Sequence, residues 1–462
     1  MSRLAASIDA VRAELATADL ADAGAVRALL TATHARRRLD LSDLSPAEQA
    51  HLAASRAVNV LPGERELAAR ITERAQQGRP FVAKFGIDPT GAEVHLGHAV
   101  PIIVLSRFQR MGHRIALIIG DFTASIGDPS GRSSERPPLT DDDIARNLAT
   151  YQDQIAPFFD FERAGAHHNG DWLREVRLPA LMGVLARIPV SQALQREDFR
   201  RRLDAGSGVA MSEFLYAVVM ALDSVEVEAD VELGGVDQLL NLQMGRTVME
   251  VHGQDPQLVL TVPLIEGLDG SGAKMSKSAG NYVALTDAPG EVFGKIMSIP
   301  DRLVVPYLRA WTEWDDSEIA LLEARVADRG VHPMDAKRLL AGEVVAALHG
   351  LEAAMAARAD WDAQFSKRSL ADVESLPSVA DPGRTVVEAL QDLGFVKSTS
   401  DARRLATQGG LKLVYGAVSV PLEAGDVYTA VREVARARRP AGADDTTEVF
   451  LRAGRRAARV TA

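Results

Sequence analysis

The stretch FVAKFGIDPTGAEVHLGHAVPIIVLSRFQRMGHRIALIIGDF, residues Phe81 to Phe122, decides the fold. FVAKFGI is strand-like, HAVPIIVLSRFQRMG has the apolar spacing of a helix, and RIALIIGDF carries the continuous apolar run of a buried strand. Strand, helix and strand at this spacing make a parallel βαβ unit. In open parallel sheets, ligands sit beyond the carboxyl ends of the strands, where helix N-termini offer unpaired N–H groups and a partial positive charge. HLGH, His95 to His98, falls there, between the first strand and its helix. Its small Gly97 and two imidazoles let a flat base or a phosphate approach the backbone while both rings donate hydrogen bonds. Taken alone, HLGH reads equally well as a pair of surface histidines.

Downstream, TASIGDPSGRSSERPPLT is a long loop dense in turn formers, ending at Thr140, an N-cap followed by three Asp. VSQALQREDFRRRL and MSEFLYAVVMALDSV read as helices, DVEL as a short strand, Val236 to about Val251 as a helix and LVLTVPL as a strand. On the helix that begins at Met211, Tyr216, Met220 and Asp223 share one face. The Rossmann-like α/β part is thus placed at 56–284, followed by a helical domain at 285–380. DPGR, Asp381 to Arg384, reads as a linker into a small α+β domain at 381–462, and residues 1–55 form a helical extension of open role.

Composition narrows the chemistry. At 462 residues the chain has room for two to four domains, and 47% apolar residues supply their cores. The absence of Cys excludes disulfides and thiol catalysis, so catalysis falls to oxygen and nitrogen groups. No apolar run reaches eighteen residues and Arg and Asp interrupt the first thirty, so the expectation is a cytoplasmic protein without a membrane partner. A formal charge of −11 argues against non-specific nucleic-acid coating. From Val431 onward, however, eight Arg face four acidic residues, which suits a local phosphate-binding surface.

A second motif, GAKMSKSAGN from Gly272 to Asn281, lies in a Gly- and Ser-rich loop after the strand LVLTVPL. Two lysines three apart on such a loop close over a polyphosphate and follow charge that develops on it. By itself it reads equally as a solvated charged loop. HLGH and KMSKS in this order, 179 residues apart from His95 to Lys274, are specific together. HLGH resembles the HIGH signature of class I aminoacyl-tRNA synthetases, and KMSKS matches their second signature letter for letter. KFGIDPTGAEVHLGH, IIGDFTASIGDPSGRSSERPPLT, ADVELGGVDQLLNLQMGR and PLIEGLDGSGAKMSKSAGNY resemble the tyrosyl enzymes, in the bacterial branch that keeps KMSKS intact. The likeness runs from about Ala54 to Ala462 and is densest through Asn281.

This resemblance implies a two-step reaction, with tyrosine activated by ATP and then transferred to tRNA(Tyr). His95, His98, Lys274, Lys277, Arg132 and Arg136 would serve the phosphates. Asp88, Thr90, Gly97, Gly235 and Asp237 would form the ATP site, with Lys277 again and with Asp237 on the ribose hydroxyls. Lys84, Gly86, Asp128, Asn169, Tyr216, Met220, Asp223 and Gln238 would form the amino-acid pocket. In it, Tyr216 and Asp128 hold the ammonium with support from Asn169, Gln238 orients the carboxylate, and Asp223 accepts the phenol hydrogen. Lys84 either pairs with Asp223 or touches the phenol. Mg²⁺ is expected with ATP, held chiefly by phosphates and water rather than by a dedicated protein metal site, and no tightly bound cofactor is expected.

Met220 and Leu222 depart from the Gln and Tyr usual in the family, which opens an alternative specificity for a modified tyrosine; Met220→Gln would then improve use of ordinary tyrosine. The tail from Thr385 to about Val420 resembles a small RNA-binding module first recognised in a ribosomal protein. Lys397, Ser400, Arg403, Arg404 and Lys412 would present its RNA face. The family also implies a homodimer. The competing readings are a small-molecule nucleotidylyltransferase, which would lack KMSKS before an RNA-binding tail, and a paralogue that only binds RNA.

Overall fold

The computed structural model describes residues 2–460 except 90–92, 131–139, 149, 195, 367–375, 408, 416–417, 441–446 and 455. Its contacts divide the chain into two units, Met1–Trp361 and Asp362–Ala462.

The first unit is built around six strands: β1 (Asn59–Leu61), β2 (Val82–Ile87), β3 (Arg114–Ile119), β4 (Gly165–His168), β5 (Val231–Gly235) and β6 (Leu258–Val262). They lie in the order β1-β6-β5-β2-β3-β4, parallel except for β1, which runs antiparallel to β6. β2, β3 and β6 are buried along nearly their whole length, as a sheet covered on both faces requires. From β2 the chain proceeds to β3 and β4 on one side, then returns to place β5 on the other. That reversal is the switch point at which open α/β sheets bind ligands.

Residues 1–55, whose role the sequence leaves open, belong to this unit's core. Helices Arg3–Thr17, Ala23–Arg36 and Pro46–Ala54 are capped by Ser2, Asp22 and a Ser45–Glu48 capping box. The first two pack on helices Asp316–Ala327 and Pro333–His349, and the third packs on the helix Leu96–Arg110. Val11, Leu15, Val26, Leu29 and Leu30 share one hydrophobic cluster with the sheet. Within it, Arg36 grips Glu318 through two hydrogen bonds of 2.7 Å, with side chains 1% and 0% exposed. Removing one partner strands a buried charge, so Glu318→Ala is expected to cost about 3–5 kcal/mol of unfolding free energy in a urea titration. The double change Arg36→Met with Glu318→Leu is expected to cost far less, because it leaves no stranded charge.

The second unit carries β7 (Ser378–Val379), β8 (Leu411–Tyr415), β9 (Val418–Pro421), β10 (Val449–Ala453) and β11 (Arg456–Val460), in the order β7-β11-β10-β8-β9. Helices Val386–Asp392, Thr399–Thr407 and Val431–Ala437 accompany this sheet, and Val386, Leu390, Leu413, Val431 and Leu451 anchor a separate core. Asp381–Arg384, read from sequence as a linker, forms a turn inside this unit, because Ser378–Val379 ahead of it already pairs with β11. Among the described residues, no helix is long and apolar enough to cross a membrane.

Candidate active site

Four parallel strands deliver polar side chains at their carboxyl ends. Asp88 follows β2, Thr123 and Asp128 follow β3, Asn169 and Trp172 follow β4, and Asp237 and Gln238 follow β5. The helix Met211–Glu226 packs against the Thr123–Ile126 turn and the short helix Gly170–Leu173, adding Tyr216 and Asp223 to the same region. The strand ends therefore collect residues that are up to 150 positions apart in the chain, from Asp88 to Gln238.

HLGH opens the helix Leu96–Arg110. His95 Nδ1 accepts the Gly97 N–H at 3.2 Å and His98 Nδ1 accepts the His95 N–H at 3.4 Å. An Nδ1 that accepts carries no proton, so each neutral ring bears its hydrogen on Nε2. The rings stack with centroids 3.8 Å apart. Burial, followed by the charges of Lys277 and Lys274, pushes His95 down to about 4; burial, followed by His95 and the same lysines, pushes His98 down to about 3. Both are neutral donors at pH 7. A Cβ at Gly97 would meet the His95 ring at 3.0 Å, which explains glycine there.

The two signature motifs are neighbours. Residues just after KMSKS pair with the backbone at the start of HLGH: Leu96 N–H donates to Val283 O at 2.9 Å and Leu285 N–H to Val94 O at 2.9 Å. Met275 is buried and its Cβ lies 3.9 Å from the Cβ position of Gly97. Lys274 Nζ reaches Asp237 Oδ2 at 3.3 Å, so the cation expected on phosphate rests on the carboxylate expected on ribose. Gly235 adjoins that carboxylate, since a Cβ there would meet Asp237 Oδ1 at 2.6 Å.

A second cluster surrounds Asp223, which is 2% exposed. Trp172 Nε1 donates to its Oδ1 at 2.9 Å and Asn169 Nδ2 to its Oδ2 at 3.2 Å. Asn169 Nδ2 also lies 3.1 Å from Thr123 Oγ1, which donates to Asp88 Oδ1 at 2.6 Å, while Tyr216 Oη donates to Asp88 Oδ2 at 2.8 Å. One hydrogen-bond chain thus joins the two carboxylates. Burial pushes Asp88 up to about 7 against the hydrogen bonds of Thr123 and Tyr216, and burial pushes Asp223 up to about 6 against the pull of Lys84, Trp172 and Asn169. Asn169, expected beside Tyr216 and Asp128, instead holds Asp223. Asp88, expected at ATP, bonds to Tyr216 of the amino-acid set.

Neither option for Lys84 describes its main contact. Its Nζ pairs with Glu232 Oε1 at 2.7 Å and donates to Ser224 Oγ at 2.8 Å, and the two charged side chains are 0% and 1% exposed. The strands β2 and β5 set Lys84 directly opposite Glu232, which fixes the choice. Leu222 packs with Val184, Val218, Met244 and Val248 on the face of its helix that carries no pocket residue, so its departure from Tyr alters packing. Met220 stays on the Tyr216–Asp223 side by helical spacing, and its carbonyl accepts from Lys84 Nζ at 3.4 Å. Gly86 is the exposed position of β2.

Gln238 Nε2 donates to Asp128 Oδ2 at 2.8 Å. Thr90, Arg132 and Arg136 lie outside the described residues. In the second unit Lys397, Ser400, Arg403 and Arg404 are exposed, and Lys412 stands opposite Arg452 across β8 and β10. Sequence reading passed over Arg452, Thr123, Trp172, Glu232 and Asn241. For Trp172 a signal existed, since HNGDW sets it three positions after Asn169 on one turn of helix. Among the described residues no group of three or more His, Asp or Glu is arranged to hold a metal.

The model of the family described as tRNA synthetases class I (W and Y) matches residues 76–366. The chain is 40% identical over 368 residues to a tyrosine–tRNA ligase of Thermotoga maritima, covering 80% of this chain and 90% of that one. It is 42% identical over 359 residues to tyrosine–tRNA ligase 2 of Vibrio parahaemolyticus, covering 78% and 89%. Among solved structures, a C-terminally truncated mitochondrial tyrosyl-tRNA synthetase of Aspergillus nidulans superposes with a TM-score of 0.57 at 21% identity, over 70% of this chain and 94% of that one. The tyrosyl-tRNA synthetase of Archaeoglobus fulgidus in complex with L-tyrosine gives 0.54 at 23% identity, over 67% and 99%. At these identities the two structures speak for the fold.

Proposed function

The chain belongs to the class I tRNA synthetases of the tryptophan and tyrosine group, among the tyrosine–tRNA ligases, and on that premise we propose how its residues carry out the reaction. The enzyme consumes ATP and tyrosine and charges tRNA. The observation that carries the assignment of roles is the pinned carboxylate of Asp223, held from two sides at one end of a hydrogen-bond chain leading to Asp88 and Tyr216.

In the first step a carboxylate oxygen of tyrosine attacks the α-phosphorus of ATP. The bond to the bridging oxygen breaks and pyrophosphate leaves. No covalent enzyme intermediate forms, so the residues position the reactants and stabilise charge. His95 and His98 offer Nε2–H donors to the phosphates. Lys274 exchanges Asp237 for pyrophosphate, which frees the carboxylate for the ribose hydroxyls. Gly97 and Gly235 keep the approach to the nucleotide open, and Lys277, Arg132, Arg136 and Thr90 complete the phosphate side. ATP would bring its own Mg²⁺, which would help neutralise phosphate charge without a dedicated protein metal site.

Tyrosine binds with its phenol donating to Asp223, its ammonium beside Asp128, Tyr216 and Asp88, and its carboxylate at Gln238. Gly86 and Met220 line the space between, and Lys84 stands behind Asp223 with Glu232 as its partner. In the second step a ribose hydroxyl of the terminal tRNA adenosine attacks the adenylate carbonyl, and AMP leaves with the shared electron pair.

Lys397, Ser400, Arg403, Arg404 and Lys412, joined by Arg452, hold tRNA phosphates. A chain ended after Ser366 is expected to keep tyrosine-dependent pyrophosphate exchange and to lose ~10-fold or more in aminoacylation at low tRNA concentration. Equal aminoacylation by the shortened chain would remove the RNA-binding assignment. The dimer is supported by exposed Leu178, Met182, Val190, Leu203 and Met211, an apolar set concentrated in residues 178–211. A second copy suits it, because a symmetric interface buries the same patch on both chains.

A further inference from the structure

We propose that Arg196 is a positioning residue: acting through Asn241, it fixes Gln238 with its amide N–H, not its carbonyl, available to the substrate carboxylate. Arg196 is the N-cap position of the helix Glu197–Asp204 and is 7% exposed. Its guanidinium meets Asp198 through Nε at 3.2 Å and Nη2 at 2.9 Å, lies over the Phe199 ring at 4.9 Å, and donates from Nη2 to Ser130 Oγ at 3.0 Å. Its Nη1 donates to Asn241 Oδ1 at 2.7 Å.

The orientation of a side-chain amide follows from its partners. A guanidinium has donors only, so the Asn241 atom facing it is the oxygen. Asn241 Nδ2 must then point the other way, where it meets Gln238 Oε1 at 2.8 Å, with Ser130 Oγ at 3.2 Å and Asp128 Oδ1 at 3.4 Å. With its oxygen so engaged, Gln238 presents Nε2 to Asp128 Oδ2 at 2.8 Å. A carboxylate accepts only, which closes the chain at its other end. Donors run in one direction from Arg196 through Asn241 and Gln238 to Asp128, and no amide in the series can flip without setting two like groups against each other.

The consequence lies at the amino-acid head group. Gln238 Nε2 has two hydrogens, and with one on Asp128 the other points its donor character at an incoming carboxylate. A reversed amide would present Oε1 there and repel it. This inference rests on the assignment of Gln238 to the substrate carboxylate given above, and it adds the residue that decides which end of Gln238 does the binding.

The test is steady-state pyrophosphate exchange in the full-length enzyme, with KM measured separately for tyrosine and for ATP. Arg196→Met with Asp198→Asn removes the donor together with the carboxylate charge it pairs with. Asn241→Asp keeps an acceptor for Arg196 and removes the donor to Gln238. Both are expected to raise the tyrosine KM ~10-fold or more, the loss that follows from a mis-set hydrogen bond to a charged group, with the ATP KM changed by less than ~2-fold. A merely structural role moves the tyrosine and ATP KM together in both variants. An unchanged tyrosine KM in either folded variant, or a parallel rise for tyrosine and ATP, overturns the proposal. Gln238→Ala separates the two layers. If it raises the tyrosine KM and the other variants do not, the positioning role fails alone; if it has no effect, the assignment of Gln238 fails first.

Discussion

His98→Ala is expected to slow tyrosine-dependent pyrophosphate exchange by ~10²–10³-fold in kcat, with the tyrosine KM close to wild type. The size follows from what the ring supplies. Its Nδ1 is engaged by the His95 N–H, so Nε2–H is its one outward donor, and a neutral ring donates without changing its charge state. A donor already aimed at the developing phosphate charge costs no reorganisation at the moment of reaction. The depressed values of about 4 for His95 and about 3 for His98 add a pH signature. Both rings stay neutral above about pH 5, so they contribute no inflection to the rate near the usual histidine range. Their stability contribution is present above pH 6.5 and is lost as pH falls through the folded values. Stopped-flow measurement of adenylate formation separates the chemical step from binding. A large rise in tyrosine KM with kcat unchanged would place His98 at the amino acid instead.

The second large effect is on selectivity. Asp223→Asn is expected to lower the preference for tyrosine over phenylalanine by at least ~100-fold, through a loss of tyrosine kcat/KM. Tyrosyl enzymes are themselves the standard example of this effect, with rejection of phenylalanine on the order of 10⁵. The reason is that a buried acceptor left without its phenol donor costs more than a missing contact. In this protein the acceptor is held by Trp172 and Asn169, both donors, so an asparagine in its place must set its own amide N–H against one of them.

The raised carboxyl groups give the pH sign. Asp223 at about 6 and Asp88 at about 7 are protonated in the acid range, where Asp223 becomes a weaker acceptor for the phenol and Asp88 loses its charge. The tyrosine KM is therefore expected to fall as pH rises from about 5 to 8. A KM that rises over the same interval would contradict the roles given to both carboxylates.

The parts of the fold that could be read from sequence are those in which local pattern and burial agree. Phe81 to Phe122 is legible because β2 and β3 are continuous apolar runs on either side of a helix whose start carries its own motif. β4 is not: GAHH has four residues, alternates between intermediate and exposed positions, and owes its existence to pairing with β3. The partner of Lys84 was hidden for a different reason. Lys84 and Glu232 are 148 positions apart, and only the register of β2 on β5 sets them face to face. Leu222, read as a departure from the family's Tyr beside Asp223, faces elsewhere, since consecutive helical positions point in different directions and Leu222 packs on the helix Leu239–Val251. The N-terminal residues were visible as a helical extension from their periodicity. Their burial in the main core depends on partners some 300 residues later, such as Glu318 for Arg36, which no local pattern announces.

The most direct test of the central claim is exchange of labelled pyrophosphate into ATP by the purified full-length protein, with each of the twenty amino acids supplied in turn. Exchange that depends on tyrosine, falls sharply with phenylalanine and is abolished in the His95→Ala, His98→Ala double variant is the expected result. Exchange that proceeds without an amino acid, or that favours another amino acid over tyrosine, would contradict it.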